Sequence, residues 1–281
     1  MVSFQEAISK GTVILRSRSI ETARLDAEVL LAHVLDVSRT DLYLNIGSID
    51  ENKLSEYYQV VRRRADREPV AYLTGEREFM SLPFKVSSDV LIPRPETEII
   101  VEKALEIKPF NIIDVGTGSG AIAVSLANYL PESSIRAVDI SAGALEVAKY
   151  NAARHGVSDR ITFYNGNLLD PFNSPEHYFR YDLITANLPY IPTPEMNELP
   201  YDVRGYEPVE ALCGGEDGLE LYRKLLPVAA KLLKQEGHTL IEFGYLQAAA
   251  LREMLADCGF SRIEVIKDLA GLDRVIKAAK S

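Results

Sequence analysis

The tetrapeptide Asn187-Leu188-Pro189-Tyr190 joins groups with a shared chemical use. It directly follows YDLITA (181–186), a run that reads as a strand. An amide or aromatic amine is a poor nucleophile because its nitrogen lone pair is delocalised. Two acceptors, the Asn187 side-chain oxygen and the Leu188 backbone carbonyl, can hold its two N–H bonds. That aims the lone pair at an incoming methyl group and accommodates the positive charge that develops on nitrogen. Pro189 fixes the backbone bend. Tyr190 can stack on the flat target and its growing cation.

A second constellation lies upstream. Gly116-Thr117-Gly118-Ser119-Gly120-Ala121 ends one predicted strand and opens a helix, where glycines let a ligand approach the backbone. The run also satisfies G-x-G-x-x-A, so a dinucleotide ligand stays open on this motif alone. Asp139 ends the next strand, 19 residues after Gly120. A carboxylate there can take both ribose hydroxyls of an adenosine ligand, a need shared by NAD and S-adenosylmethionine. Ser141 is available to cap the following helix in its place. Asn165-Gly166-Asn167-Leu168, after the third strand, suits the edge and face of an adenine and equally suits a polar turn. A dehydrogenase has no use for amide, proline and aromatic after the fourth strand, whereas methylation of a planar nitrogen does.

Alternating strands and helices must position these loops. Helix 96–107, strand 111–115, helix 120–130, strand 134–139, helix 142–155, a strand near 161–164 and strand 181–186 follow in order. A proline-rich loop spans 188–217 and reads as irregular. Helix 218–235, strand 238–243, helix 246–258 and strands near 261–267 and 273–279 complete the chain. The pattern predicts an α/β fold with a mainly parallel sheet covered on both faces. The last two strands are too close for a helical crossover and predict an antiparallel hairpin at one edge. Residues 1–68 read as a bundle of about four helices, with Thr40 and Asp50 suited to N-caps. Residues 69–92 read as a linker with a β-hairpin over 78–86. Arg62-Arg63-Arg64 with Arg67 reads as a solvated helix face in preference to a partner surface.

Composition narrows the field. Of 281 residues, 47% are hydrophobic and 26% charged, which suits a folded soluble protein. No apolar run reaches the ~18 residues of a membrane span, and the first residues do not read as a signal peptide. Two cysteines in no metal-like spacing fit a reducing cytosol, so a cytoplasmic location is expected. The four histidines form no zinc-type pair, and no metal is expected. The net charge of −10 disfavours broad nucleic-acid binding, which needs a strongly positive surface.

The glycine loop, Asp139 and Asn187-Leu-Pro-Tyr190, in this order, resemble class I S-adenosylmethionine-dependent methyltransferases acting on planar nitrogens. Arg67-Glu-Pro-Val-Ala-Tyr-Leu-Thr-Gly75, Val90-Leu-Ile-Pro-Arg-Pro-Glu-Thr-Glu98 and Asp202-Val-Arg-Gly-Tyr-Glu-Pro208 resemble the release factor glutamine methyltransferases, the HemK/PrmC family. The resemblance covers essentially the whole chain. It departs at Leu188, where most members carry a second proline; the backbone carbonyl is kept, and the loop is expected to loosen slightly.

The resemblance implies a Rossmann-like, seven-stranded sheet with a C-terminal antiparallel hairpin over 93–281. It also implies a helical bundle over 1–68 that recognises the substrate. The implied reaction is methylation of the Gln amide in the Gly-Gly-Gln motif of peptide chain release factors, with S-adenosyl-L-methionine as cofactor. Gly116, Thr117, Gly118, Ser119, Gly120, Asp139, Asn167, Leu168 and Asn187 are the cofactor candidates. Asn187, Leu188, Pro189 and Tyr190 are the catalytic candidates, with Arg94 and Glu207 added on the substrate side. The alternatives are an adenine N6-type methyltransferase on RNA or DNA, and a non-catalytic binding module on the same fold.

Overall fold

The computed structural model describes residues 2–44 and 47–281. It divides into two compact units, Met1–Glu76 with Pro200–Tyr206, and Arg77–Leu199 with Glu207–Ser281.

The first unit runs β1 (Val2–Ser3), α1 (Phe4–Arg16), α2 (Ala23–Leu35), α3 (Asp41–Leu44), β2 (Ser48–Ile49), α4 (Glu51–Ala65) and α5 (Val70–Thr74). Ser3 and Glu6 form a reciprocal capping box on α1. Asp50 caps α4 by accepting from the Asn52 and Lys53 N–H groups. At α3 it is Ser38, and not Thr40, whose hydroxyl bonds the first-turn Asp41. β1 and β2 pair antiparallel over two residues each, too short a length for sequence periodicity to register.

The arginine run does not form one solvated face. Arg64 is buried with Tyr57, Val61 and Ala65, because its position falls on the apolar stripe of α4. Its guanidinium pairs with Asp26 at 2.7 Å. Arg63 pairs with Glu68, and Arg67 donates to the Arg18 carbonyl.

The predicted hairpin follows, β3 (Glu76–Phe79) and β4 (Leu82–Lys85), with the second unit taking over at Arg77. The segment expected as a single linker, 69–92, is thus divided, with α5 in the first unit. Then follow α6 (Glu98–Ile107), β5 (Asn111–Val115), α7 (Ala121–Tyr129), β6 (Ser134–Asp139), α8 (Ala142–Arg154), β7 (Ile161–Asn165) and β8 (Tyr181–Ala186). The proline-rich loop is not wholly irregular. It carries α9 (Tyr201–Arg204), whose preceding Pro200 suits a helix start. This stretch belongs with the first unit, where Asp202 lies 3.9 Å from Arg64 and the Tyr206 hydroxyl donates to the Asp66 carbonyl.

The chain ends with α10 (Glu220–Leu232), β9 (Leu233–Glu242), α11 (Ala248–Asp257), β10 (Phe260–Lys267) and β11 (Asp273–Lys280). The helix expected over 218–235 stops at Leu232. Leu233 continues the apolar pattern but takes extended backbone and pairs with Tyr181.

The seven strands lie in the order β10-β11-β9-β8-β5-β6-β7. The five strands from β9 to β7 are parallel, and β11 joins them antiparallel with β10 at the edge, as the short connection predicted. Alternation along the strands splits the core. Ile113, Ile184, Ile241 and Ile276 meet α10 and α11, while Ile112, Leu183, Leu240 and Val275 meet α6 and α7. No helix among the described residues is long and apolar enough to cross a membrane.

Candidate active site

The carboxyl ends of β5, β6, β8 and β9 carry Val115, Asp139, Ala186 and Glu242. In an open α/β sheet this is the edge where ligands bind. A cavity of about 570 Å³ opens there. Its walls hold Arg94, Gly116, Thr117, Gly118, Ser119, Asp139, Asn167, Leu168, Asn187, Leu188 and Pro189. Sequence candidates separated by more than 90 positions therefore share one chamber. Gly120, Tyr190 and Glu207 are not on its walls.

The glycine loop is shaped from beneath. Gly116 has φ +70°, and a Cβ on it would stand 2.9 Å from Leu188 Cδ2, so the two loops touch only because residue 116 is glycine. Thr117 donates to Asp114 Oδ2 at 2.6 Å, and Thr185 donates to Oδ1 at 2.8 Å. Asp114 is fully buried, and desolvation pushes its carboxyl up to about 6 against the lowering effect of these bonds. Gly120 has another task. A Cβ there would meet Ala148 at 3.1 Å, so this glycine allows α7 to approach α8.

Asp139 is oriented by two backbone donors. The Gly118 N–H reaches Oδ2 at 2.8 Å and the Ser141 N–H reaches Oδ1 at 2.9 Å. Burial raises its carboxyl despite these bonds. Ser141 caps α8 by accepting from the Ala144 N–H, which leaves the carboxylate beside the cavity. Asn165 is turned back onto the Asp139 and Ile140 carbonyls, whereas Asn167 and Leu168 line the chamber. Ile140, which sequence reasoning passed over, also lines it and is 67% exposed. An apolar side chain left in the open directly after the acidic strand end is the signal that would have found it.

The opposite wall is a side-chain network. Asn187 Nδ2 donates to Thr97 Oγ1 at 3.1 Å. The Thr97 hydroxyl donates to Glu242 Oε2 at 2.6 Å, and the Tyr190 hydroxyl donates to Oε1 at 3.3 Å. Tyr190 is thereby tied to Glu242, and its backbone carbonyl accepts from Gln247 Nε2. The Tyr222 hydroxyl bonds the Glu242 carbonyl at 2.7 Å and reaches the Leu188 carbonyl at 3.3 Å. Leu188 buries its side chain in the core, and its carbonyl stays at the loop. Glu207 acts one layer back. It accepts from the Ile92 N–H and pairs with Arg94, which lines the cavity.

The chamber suits an adenosine ligand. A Cβ on Gly118 would meet nothing nearer than the Gly116 carbonyl at 4.0 Å, so the glycine leaves space that no protein atom fills. Asp139 faces that space with a carboxylate able to accept ribose hydroxyls.

Comparisons with known proteins agree with this geometry. A family model described as the PrmC N-terminal domain matches residues 6–75, and one described as a methyltransferase domain matches 108–268. A release factor glutamine methyltransferase of Geobacter sulfurreducens is 41% identical, over 93% of this chain and 91% of its own. The protein of that name from Moorella thermoacetica is 42% identical, over 99% of this chain and 98% of its own. Among solved structures, a methyltransferase from Pyrococcus furiosus aligns with a TM-score of 0.55 at 19% identity. That match covers 72% of this chain and 90% of the other, and it bears on the fold alone. With relatives this similar over nearly its whole length, the chain belongs to the release factor glutamine methyltransferase family.

Proposed function

We propose that the protein methylates the side-chain amide nitrogen of the Gln in the Gly-Gly-Gln motif of peptide chain release factors, using S-adenosylmethionine. The observation that carries this reading is one chamber with an adenosine-type wall at Gly116, Gly118 and Asp139 and a planar-amide wall at Asn187 and Leu188. The relatives' names favour glutamine over adenine as the acceptor.

When bound, S-adenosylmethionine supplies an electrophilic methyl group on a sulfonium sulfur. The protein's part is orientation. Asp139 would accept the ribose hydroxyls, and the glycine loop would admit the ligand close to the backbone. Ile140, Asn167 and Leu168 would flank the adenine. Asn187 Oδ1 and the Leu188 carbonyl accept the two N–H bonds of the target amide, so its lone pair faces the methyl group and its developing charge is met by two dipoles. Arg94, held by Glu207, forms the polar wall on the substrate side.

The test is the intact mass of a purified release factor after incubation with this protein and S-adenosylmethionine. One added methyl on the Gly-Gly-Gln peptide supports the reading. An unmodified factor, or a methyl on an adenine of added RNA, refutes it.

A further inference from the structure

A carboxamide has two ends of similar shape, and only one of them suits the role given to Asn187. The oxygen accepts the N–H of the target amide. The NH₂ group would oppose donor to donor and hold the amide wrongly. The structure contains a device that selects between them. Asn187 Nδ2 donates to Thr97, and Thr97 spends its single hydroxyl proton on Glu242. With that proton committed, the Thr97 oxygen can only accept, so the NH₂ end of Asn187 must face it. Thr97 and Glu242 are both almost fully buried, so water does not compete for these bonds.

We infer that Thr97 and Glu242 are positioning residues, in which the Glu242 carboxylate orients the Thr97 hydroxyl and the hydroxyl holds the Asn187 oxygen toward the substrate. The inference rests on the function proposed above and deepens it, since neither residue touches the reacting atoms.

Protonation reverses the logic. A neutral Glu242 can itself donate to Thr97. Thr97 then turns its proton to Asn187, whose oxygen rotates inward and whose NH₂ faces the chamber. Five groups surround Glu242: Thr97 and Glu96 before α6, Tyr190 after β8, Tyr222 of α10 and Arg274 of β11. Burial pushes the carboxyl up to about 7, with Glu96 adding to the rise. The bond from Thr97, the charge of Arg274 and the bond from Tyr190 oppose it. Both tyrosines are held in the neutral form by burial, and Arg274 is a fixed cation. The polarity of the chain therefore turns on Glu242 near neutral pH.

Single-turnover methylation of a release factor at saturating S-adenosylmethionine, followed from pH 5.5 to 8.5, tests the activity. The wild-type rate should fall below about pH 7, approaching about tenfold per unit. Glu242→Gln should flatten that limb. Thr97→Val should slow transfer about 10–100-fold above pH 7 and remove the acid limb, with cofactor affinity by calorimetry within about twofold, and Thr97→Ser should restore the rate. A Glu242→Gln profile with the wild-type acid limb overturns the inference, as does a Thr97→Val rate within twofold of wild type at pH 8.

A second readout does not depend on turnover. The side-chain NH₂ resonances of Asn187, assigned by their loss in Asn187→Ala, should move with a midpoint near pH 7, and that movement should vanish in Thr97→Val. If they do not titrate, the relay is absent. If they titrate while the wild type methylates no release factor, the relay stands and the proposed substrate falls.

Discussion

In the N-terminal unit, Arg64 reaches Asp26 at 2.7 Å and Asp202 at 3.9 Å. Glu28, equally buried, is held by Arg24, Arg39 and the Tyr43 hydroxyl. Burial alone would raise the Glu28 carboxyl, and the bonds from Tyr43, Arg39 and Arg24 outweigh it and hold it below its ordinary value. In the second unit, Asp114 and Glu242 are enclosed more deeply, hydroxyls are their side-chain hydrogen-bond partners, and burial pushes both carboxyls up. The guanidinium groups beside Glu28 help keep that acid ionised. At Glu242 a hydroxyl passes the choice of donor and acceptor along a chain. The first arrangement suits a scaffold and the second suits a site.

The largest expected effect tests the scaffold side. Arg64→Met leaves Asp26 buried without its cation and should cost about 3–5 kcal/mol in denaturant unfolding. Adding Asp26→Leu should recover most of that loss, because the penalty lies in the unpaired charge. A single variant of wild-type stability would break the contrast between the units.

On the site side, Asn187→Ala removes one of two acceptors for the target amide. By analogy with losing one preorganised oxyanion donor, turnover should fall about 10²–10³-fold. Cofactor affinity should change little, since the other wall is intact. Rapid-quench kinetics with a Gly-Gly-Gln substrate measures this, and a wild-type rate would remove the basis of the proposed mechanism. Asp139→Ala should act on the reciprocal quantity. Losing a charge-assisted pair of bonds to the ribose should weaken S-adenosylmethionine about 10–100-fold by calorimetry. Unchanged binding would move the cofactor away from β6.

Much of this site was legible because its residues sit where chain punctuation is strongest. Gly116 and Asn187 directly follow predicted strands and Asp139 ends one, and parallel pairing brings such strand ends to one edge. The network behind Asn187 was not legible. Thr97 and Glu242 are 145 positions apart and meet only through the sheet order. One trace was present, since Glu242 interrupts the apolar run Leu240-Ile241-Glu242-Phe243, where an acid in a central strand demands a partner. Arg64 was misread for a similar reason. Its charge suggested solvent, while its spacing from Tyr57 and Val61 placed it on the buried stripe. In both cases position outweighed residue type.

The smallest expected effect bears on both halves of the comparison. Glu242 has a folded-state value of about 7 against an ordinary value near 4.5. Between those limits the folded protein binds a proton that the unfolded chain has released, so this residue's contribution falls as pH rises from about 4.5 through 7. Asp114, at about 6 against 3.8, adds a slope of the same sign at lower pH. Glu242→Gln keeps the shape and removes the charge. It should therefore stabilise the protein by about 1–2 kcal/mol at pH 8 and change stability little at pH 5, where Glu242 is already protonated. The Asp114 slope should survive in the variant. The wild type would then be least stable where its carboxylate is ionised, which is the state the Asn187 orientation requires. Thermal unfolding of both proteins at pH 5 and pH 8 measures the difference. Equal shifts at the two pH values would mean that Glu242 keeps one protonation state between them and does not gate the site.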